Sequence, residues 1–282
     1  MKKVNFKGSV MLNPTPVVLV TSKNKEDKMT NTILLTKDKV YDGNLILVNA
    51  FLPVKTSEDI DLIPVDTRFP SILMKREATN ILQNILKSIC GINEIVPVSG
   101  YRTAEEQQDI YSSSLRDNGK DFTKKFVALP NHSEHQTGLA IDLGLKKEVI
   151  DFICPEFPYN GICNEFRKAA LHYGFIERYQ CKKEEITGIS QEPWHFRYVG
   201  YPHSEIINKM NLALEEYIEY IKRFSYTNCL KIEDKEKIIE IFYVPIHTKE
   251  EVRISIPEQC VYQISGNNKD GFIVTFWRNR KD

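Results

Sequence analysis

Between Ala78 and Ile89 the apolar residues Ala78, Ile81, Leu82, Ile85, Leu86 and Ile89 recur at three- and four-residue spacing, and the stripe runs out at Gly91. That period belongs to a helix with one buried face, and Gly91 is suited to a left-handed cap at its end. A helix so one-sided needs a second layer to cover it. Ile95 to Val98 reads as a strand, and Ser99-Gly100-Tyr101-Arg102 then turns into a helix opened by Thr103 and Glu106, the spacing of a capping box. Arg102 therefore sits at a strand-to-helix junction.

The alternation continues on either side. Leu45 to Val48 is a short apolar segment between Asp42-Gly43-Asn44 and Pro53 and is expected to be a strand. Phe166 to Phe175 and Glu205 to Phe224 are expected to be amphipathic helices, the second carrying Ile206, Met210, Leu214, Tyr217 and Ile221 on one side. Beyond Ser225 the texture changes. Ile238 to Val244, Val252 to Ile256, Cys260 to Ile264 and Gly271 to Trp277 are β-branched and aromatic, with a hairpin turn at Asn267 to Gly271. These shifts divide the chain into an N-terminal extension (1–32, with one strand-like segment, Pro16 to Thr21), a main domain (33–224) and a small β appendage (225–282).

Lys and Arg number 38, as do Asp and Glu, so no net field favours nucleic acid or an anionic membrane. The uncharged run Gly8 to Ser22 is interrupted by Asn13, Pro14 and Pro16 and falls short of the ~20 apolar residues of a membrane span. It also lacks the form of a signal peptide. Cys90, Cys154, Cys163, Cys181, Cys229 and Cys260 form no C-x-x-C pair, so neither a zinc ribbon nor a dithiol redox site is indicated, and free thiols in the cytosol are expected.

The chemistry-bearing residues lie in two clusters. His132-Ser133-Glu134-His135 leads into Gly138-Leu139-Ala140-Ile141-Asp142, and Glu192-Pro193-Trp194-His195 follows some fifty residues on. Two imidazoles and one carboxylate from His135, Asp142 and His195 would give Zn²⁺ three protein ligands and leave a fourth position for water. The seven-residue gap between His135 and Asp142 puts them on opposite faces of an uninterrupted strand, so the chain must bend, and Gly138 is the expected place. Pro193 excludes a central strand through Glu192 to His195, which predicts a turn leading into a strand at Phe196 to Val199. A carboxylate beside the metal can move the water's proton, a role for Glu192, and Arg102 is the candidate to neutralise an oxyanion. His132 competes with His135 as a ligand, but only His135 has the matching spacing to Gly138 and Asp142. His172 reads as a core or boundary residue and His247 as an ordinary residue of the appendage.

Three separated motifs now carry a resemblance. Ser133-x-His135-x-x-Gly138-x-Ala140-x-Asp142, the segment Glu192-Pro-Trp-His195-Phe-Arg-Tyr-Val-Gly200, and Ser99-Gly100-Tyr101-Arg102-Thr103 with Gln107 resemble the zinc D-alanyl-D-alanine carboxypeptidases and dipeptidases of the VanY and VanXY type, associated with vancomycin resistance. The resemblance covers roughly Ile33 to Phe224. It implies zinc on His135, Asp142 and His195, Glu192 as general base, Arg102 near the scissile carbonyl, and Ser133 and Gln107 lining the substrate site. It also implies an α+β fold shared with hedgehog signalling domains, a small antiparallel sheet flanked by helices, here followed by the β appendage. The implied substrate is a peptidoglycan precursor ending in D-Ala-D-Ala, the free dipeptide, or both. Where the family has Pro-Gly before its Ser-x-His motif, this chain has Pro130-Asn131, and Asn tolerates the positive φ such a turn requires.

Two other readings stand beside this one: an L,D-type or endolysin-like cell-wall peptidase on the same scaffold, and a catalytically silent zinc-binding recognition module. Retention of both Glu192 and Arg102 speaks against the silent module. The opening segment NPTPVVLVTSKNKEDK resembles the first strand of flavin-reductase-like split barrels, but so short a piece cannot hold a flavin.

Overall fold

The computed structural model of the chain describes residues 20–22, 30–55, 60–234, 237–246, 248–258 and 260–279. Most of the expected strand Pro16 to Thr21, the flavin-reductase-like wording and His247 lie outside them. The strands, in chain order, are β1 (Val20–Ser22), β2 (Thr30–Thr36), β3 (Leu62–Pro64), β4 (Leu73–Lys75), β5 (Ile95–Ser99), β6 (Ala140–Leu145), β7 (Phe175–Glu177), β8 (His195–Tyr198), β9 (Leu230–Asp234), β10 (Lys237–Pro245), β11 (Glu251–Pro257), β12 (Val261–Gly266) and β13 (Gly271–Asn279). The helices are α1 (Arg76–Ser88), α2 (Ala104–Asp117), α3 (Gly119–Phe126), α4 (Gly161–His172), α5 (Glu184–Thr187), α6 (His203–Lys209) and α7 (Leu214–Ile221). None of the described helices is long and apolar enough to cross a membrane.

The chain forms two compact units, one of residues 47–217 and one combining 1–46 with 218–282. These limits differ from the expected 32/33 and 224/225. Residues 33–46 and 218–224 join the β-rich unit, which draws on both ends of the chain. The reason is a long-range pairing that no local period reveals: β2 is antiparallel to β11, with Ile33 opposite Ile254. Ile33, Leu35 and Val40 share one apolar core with Phe242, Ile254, Phe272 and Phe276. A second sheet of this unit runs β12-β13-β10-β9. Its β12–β13 turn takes the expected hairpin form, with Asn268 at φ 61° and Asn267 Oδ1 accepting from the N–H groups of Lys269, Asp270 and Gly271.

The other unit is the α+β body. Its sheet is antiparallel throughout, in the order β5-β6-β8-β7. Pro97, which has no N–H to donate, lies on the edge strand β5, next to a register shift before Ser99. Helix α1 buries Ala78, Ile81, Leu82, Ile85 and Leu86, the stripe read from the sequence. Its end differs by one residue: Cys90, not Gly91, takes the left-handed conformation (φ 57°). Helix α2 opens as expected, with Thr103 Oγ1 accepting from Glu106 N–H and the Glu106 carboxylate accepting from Thr103 N–H. Phe157, Phe166 and Phe196 meet edge to face at centroid distances of 4.9–5.8 Å, tying α4 to the centre of the sheet.

Two further expectations are corrected. Leu45 to Val48 is buried but makes no strand ladder; it is the stretch in which the chain passes from one unit to the other. The helix expected over Glu205 to Phe224 is two helices, because Asn211 adopts φ 53° and the Glu216 carboxylate reaches back to the Ala213 N–H to start α7. Apolar spacing continues across the break, which hides it from periodicity.

At the head of α6, His203 is fully buried and shares a 2.6 Å hydrogen bond with the Tyr217 hydroxyl. Burial pushes its imidazole down to about 3, against about 6.5 in an unfolded chain. Between these values the unfolded state binds the proton more readily. The stability this group contributes is thus complete above about pH 6.5 and is lost as pH falls towards 3, by about 2 kcal/mol at pH 5. Unfolding free energies from urea titrations at pH 7 and pH 5 are expected to differ by about 2 kcal/mol less in His203→Gln than in the wild type.

Candidate metal centre and cleft

The register of the sheet assembles the site. Ser99 on β5 stands opposite Asp142 on β6, and Asp142 stands opposite His195, the first residue of β8. His135 comes from a 3₁₀ turn, Glu134–Thr137, which ends at Gly138 with φ +69°. The expected bend is therefore there, and it turns His135 back over the sheet. A Cβ on Gly138 would come within 2.9 Å of Leu62 Cδ2 and 3.2 Å of the Lys75 backbone N, so space as well as φ requires glycine. Asn131 holds φ 64°, the positive value expected of the residue replacing the family's glycine. Pro193 and Trp194 form the turn into β8, with His195 N–H donating to Glu192 O at 3.2 Å. Arg167 pins this turn by donating to the Pro193 and Phe157 carbonyls, each at 2.7 Å.

His135, Asp142 and His195 place one ligand atom each within 4.8 Å of one another, and all three are buried. His135 Nε2 lies 3.1 Å from Asp142 Oδ2, and His195 Nδ1 lies 2.9 Å from Asp142 Oδ1. The outer nitrogens are anchored elsewhere. His135 Nδ1 is 2.6 Å from Gly100 O, a carbonyl that can only accept, so Nδ1 carries the proton and Nε2 keeps its lone pair for the carboxylate side. His195 Nε2 is 3.4 Å from Glu134 Oε2. This is the pattern of metal-binding imidazoles whose second nitrogen is held by an acceptor. Gly100 is glycine for a reason visible here: a Cβ would stand 2.3 Å from Leu73 O, which accepts from Tyr101 N–H.

The other expected residues converge on the same cleft. Glu192 Oε2 is 3.9 Å from His195 Nδ1, and Arg102 Nη2 is 3.7 Å from Asp142 Oδ2. Ser133 and Gln107 line the cleft with them, and Gln107 donates to Ala128 O at 2.7 Å. The cleft encloses about 500 Å³ including its open mouth, and its walls add Phe126, Phe152, Ile189 and Trp194. His132 is tied to Asn49 O at 2.7 Å, and His172 pairs with Glu205 at 2.5 Å, so neither joins the cluster. All six cysteines are free, Cys154 and Cys163 included.

Charges in the site are strongly displaced. Burial, with Asp142 and Glu134 adding to it against His195 and Arg102, raises Glu192 to about 8. Burial and the nearby Arg102 push His135 down to about 4, while Asp142 is held well below the usual carboxylate range by the two histidines in spite of its burial. Burial opposes a charge on His195, but its bonds to Asp142 and Glu134 lift it to about 9, so a proton and a metal cation compete for this ligand.

Sequence reasoning missed the layer behind the cluster. Glu134 is fully buried and accepts from Arg178 Nε and Arg197 Nη1, each at 2.9 Å. Arg178 also makes a two-pronged pair with Glu215 at 2.6 and 2.9 Å. Tyr179 lays its ring 4.9 Å from that of His195. The signal for Glu134 was its place inside Ser133-x-His135, and for Arg197 its place inside the Glu192 to Gly200 segment; for Arg178 there was none, since patterning assigns charges to the surface.

With this geometry in place, comparison with known proteins is decisive. A solved structure of the D,D-dipeptidase VanXYg in complex with a D-Ala-D-Ala phosphinate analogue is 59% identical, with a TM-score of 0.87, covering 89% of this chain and all of that one. The VanY family, described as D-alanyl-D-alanine carboxypeptidase, matches residues 71–201. The bifunctional D-Ala-D-Ala dipeptidase and carboxypeptidase VanXYC of Enterococcus gallinarum is 43% identical over 183 residues, which are 64% of this chain and 95% of that protein. This chain belongs to the VanY family. As a VanY-family member it is a hydrolase of the D-alanyl-D-alanine carboxypeptidase class. Another solved relative, a mutant of the D,D-pentapeptidase VanY in complex with Zn(II), is 30% identical with a TM-score of 0.51, covering 62% of this chain and 98% of that one.

Removing Arg178 leaves the buried Glu134 and the half-buried Glu215 without their shared partner. Loss of one member of a buried ion pair typically costs about 3–5 kcal/mol. Arg178→Met is expected to lose stability on that scale in chemical denaturation.

Proposed function

We propose that this chain is a zinc D,D-peptidase that cleaves the terminal D-Ala-D-Ala amide of peptidoglycan precursors, of the free dipeptide, or of both, and so takes part in cell-wall metabolism and glycopeptide resistance. The observation that carries the reading is the convergence of two imidazole nitrogens and one carboxylate within 4.8 Å of one another, with a glutamate and an arginine beside them in a single open cleft. The donor set suits zinc: two neutral nitrogens and one carboxylate oxygen make the three-ligand arrangement of catalytic rather than structural sites. His135 through Nε2, His195 through Nδ1 and Asp142 would hold the ion. When bound, zinc polarises the scissile carbonyl and makes a water acidic enough to yield a nucleophile near neutral pH.

The chain's own residues do the rest. Glu192, whose burial makes it a stronger base than an exposed carboxylate, takes the proton of the attacking water. The water oxygen bonds to the carbonyl carbon, the C–N bond breaks, and Glu192 returns the proton to the departing nitrogen, releasing D-alanine and the shortened peptide. Arg102 faces the negative charge that grows on the carbonyl oxygen. Ser133 and Gln107 border the space for the substrate's backbone. Six free thiols favour work in the cytosol.

Purified protein is expected to carry zinc in equimolar amount by elemental analysis. His135→Ala and His195→Ala should lose it and His132→Ala should keep it; equal loss in all three would defeat the ligand assignment. Glu192→Gln keeps the side chain's shape without its basicity, so zinc is expected to stay while D-alanine release falls by about 10²–10⁴. Arg102→Ala should also keep zinc and slow by about 10²–10³. Mass spectrometry of products from D-Ala-D-Ala, from a precursor ending in D-Ala-D-Ala and from one ending in D-Ala-D-lactate identifies the bond cut.

A further inference from the structure

We propose that Glu134 is a positioning residue, which fixes the ring orientation and tautomer of His195 so that Nδ1 is the nitrogen presented to the metal. The inference rests on His195 being a ligand, as read above, and adds a residue that does not itself reach the cleft's reacting groups through any ligand bond.

Imidazole offers two nitrogens, and a ring that turns over by 180° exchanges each nitrogen for a carbon. In the observed orientation both nitrogens of His195 meet an acceptor: Nδ1 faces Asp142 Oδ1 at 2.9 Å and Nε2 faces Glu134 Oε2 at 3.4 Å. Turned over, the ring would point C–H groups at both carboxylates. Tyr179 stacks against the ring at 4.9 Å with a 34° tilt but presents no preference between the two orientations, since a flipped ring occupies the same plane. The choice therefore falls to the polar partners. Glu134 can make it because its carboxylate is itself immobilised. Its side chain has 0% exposure, and Oε1 accepts from Arg178 Nε and Arg197 Nη1, each at 2.9 Å. Arg178 is gripped in turn by Glu215, and Arg197 Nε donates to Tyr198 O at 3.1 Å.

Two arginines face Glu134 and Glu215 in this layer, and both arginine donors to Glu134 occupy Oε1, which leaves Oε2 turned to His195. A metal held on Nδ1 leaves the ring's one hydrogen on Nε2, where Glu134 Oε2 is the facing acceptor. His135 is treated in the same way by a different group, its Nδ1–H going to the Gly100 carbonyl. Both candidate ligands are thus set by an acceptor behind them, one from the backbone and one from a buried ion cluster.

The test compares wild type, Glu134→Gln and Glu134→Asp in the full-length protein. Gln removes the charge that orders the arginines; Asp keeps that charge but withdraws the carboxylate from His195, so it decides the matter if the Gln variant does not fold. Zinc affinity is measured by chelator competition on the folded protein, and the imidazole N–H signals of the zinc-loaded form are followed by ¹H–¹⁵N NMR. Zinc binding is expected to weaken by about 10- to 100-fold. The His195 Nε2–H signal should shift or vanish while the His135 Nδ1–H signal stays in place. A folded variant with a lower Tm but wild-type zinc affinity and an unmoved His195 signal would reduce Glu134 to a structural ion pair and overturn the inference. Folded wild type that binds no zinc would overturn the ligand reading itself, a result separate from any difference among the variants.

Discussion

Asp142 is the point on which the site depends. It occupies a central strand, flanked in register by Ser99 on one side and His195 on the other, and it receives the inner nitrogens of both histidines. A slip of one residue in either pairing would turn its side chain to the opposite face of the sheet. The sheet is therefore the device that delivers two of the three ligands, and the third arrives on a short turn whose exit angle is set by Gly138. The remaining features follow from the need to hold that geometry: the Gly100 carbonyl behind His135, the ion cluster behind His195, and Arg167 bracing the turn that carries Glu192.

The parts of this arrangement that were readable in the sequence are those governed by local chemistry. Thr103 and Glu106 announce a helix start through capping, Pro193 forbids a ladder, and Gly138 and Asn131 are residue types that accept positive φ. The spacing of His135, Asp142 and His195 belongs to the same class once the bend is allowed. What stayed hidden depends on distant parts of the chain. Arg178, Arg197 and Glu134 look like surface charges until the fold buries them against one another. Leu45 to Val48 shows by its composition that it is buried but not that it lacks a strand partner. The pairing of β2 with β11 leaves no trace in either segment alone, which is why the division at 32/33 missed the structural one.

The buried ion cluster also bears on how such a site tolerates change. A pair of arginines enclosed with two glutamates contributes little net stability over an apolar filling, yet removing one member is costly. Substitution of any single residue there meets a penalty that the others cannot relieve, so the layer resists gradual replacement more than the apolar core around Phe166 and Phe196, where similar shapes can exchange.

The union of β2 with β11 has a consequence for the order in which the molecule can be made. Residues 47–217 form one contiguous compact unit, so on the ribosome its chain is complete before β9 to β13 are made. Ile33 and Leu35, synthesised earlier, stand opposite Ile254 and Val252, so that ladder cannot form until β11 exists. Their apolar side chains wait through the making of the whole peptidase body, and the loop they finally close is among the longest in the chain, with the entropic cost that such closure carries. A strand made before the peptidase body thus completes its pairing only after it.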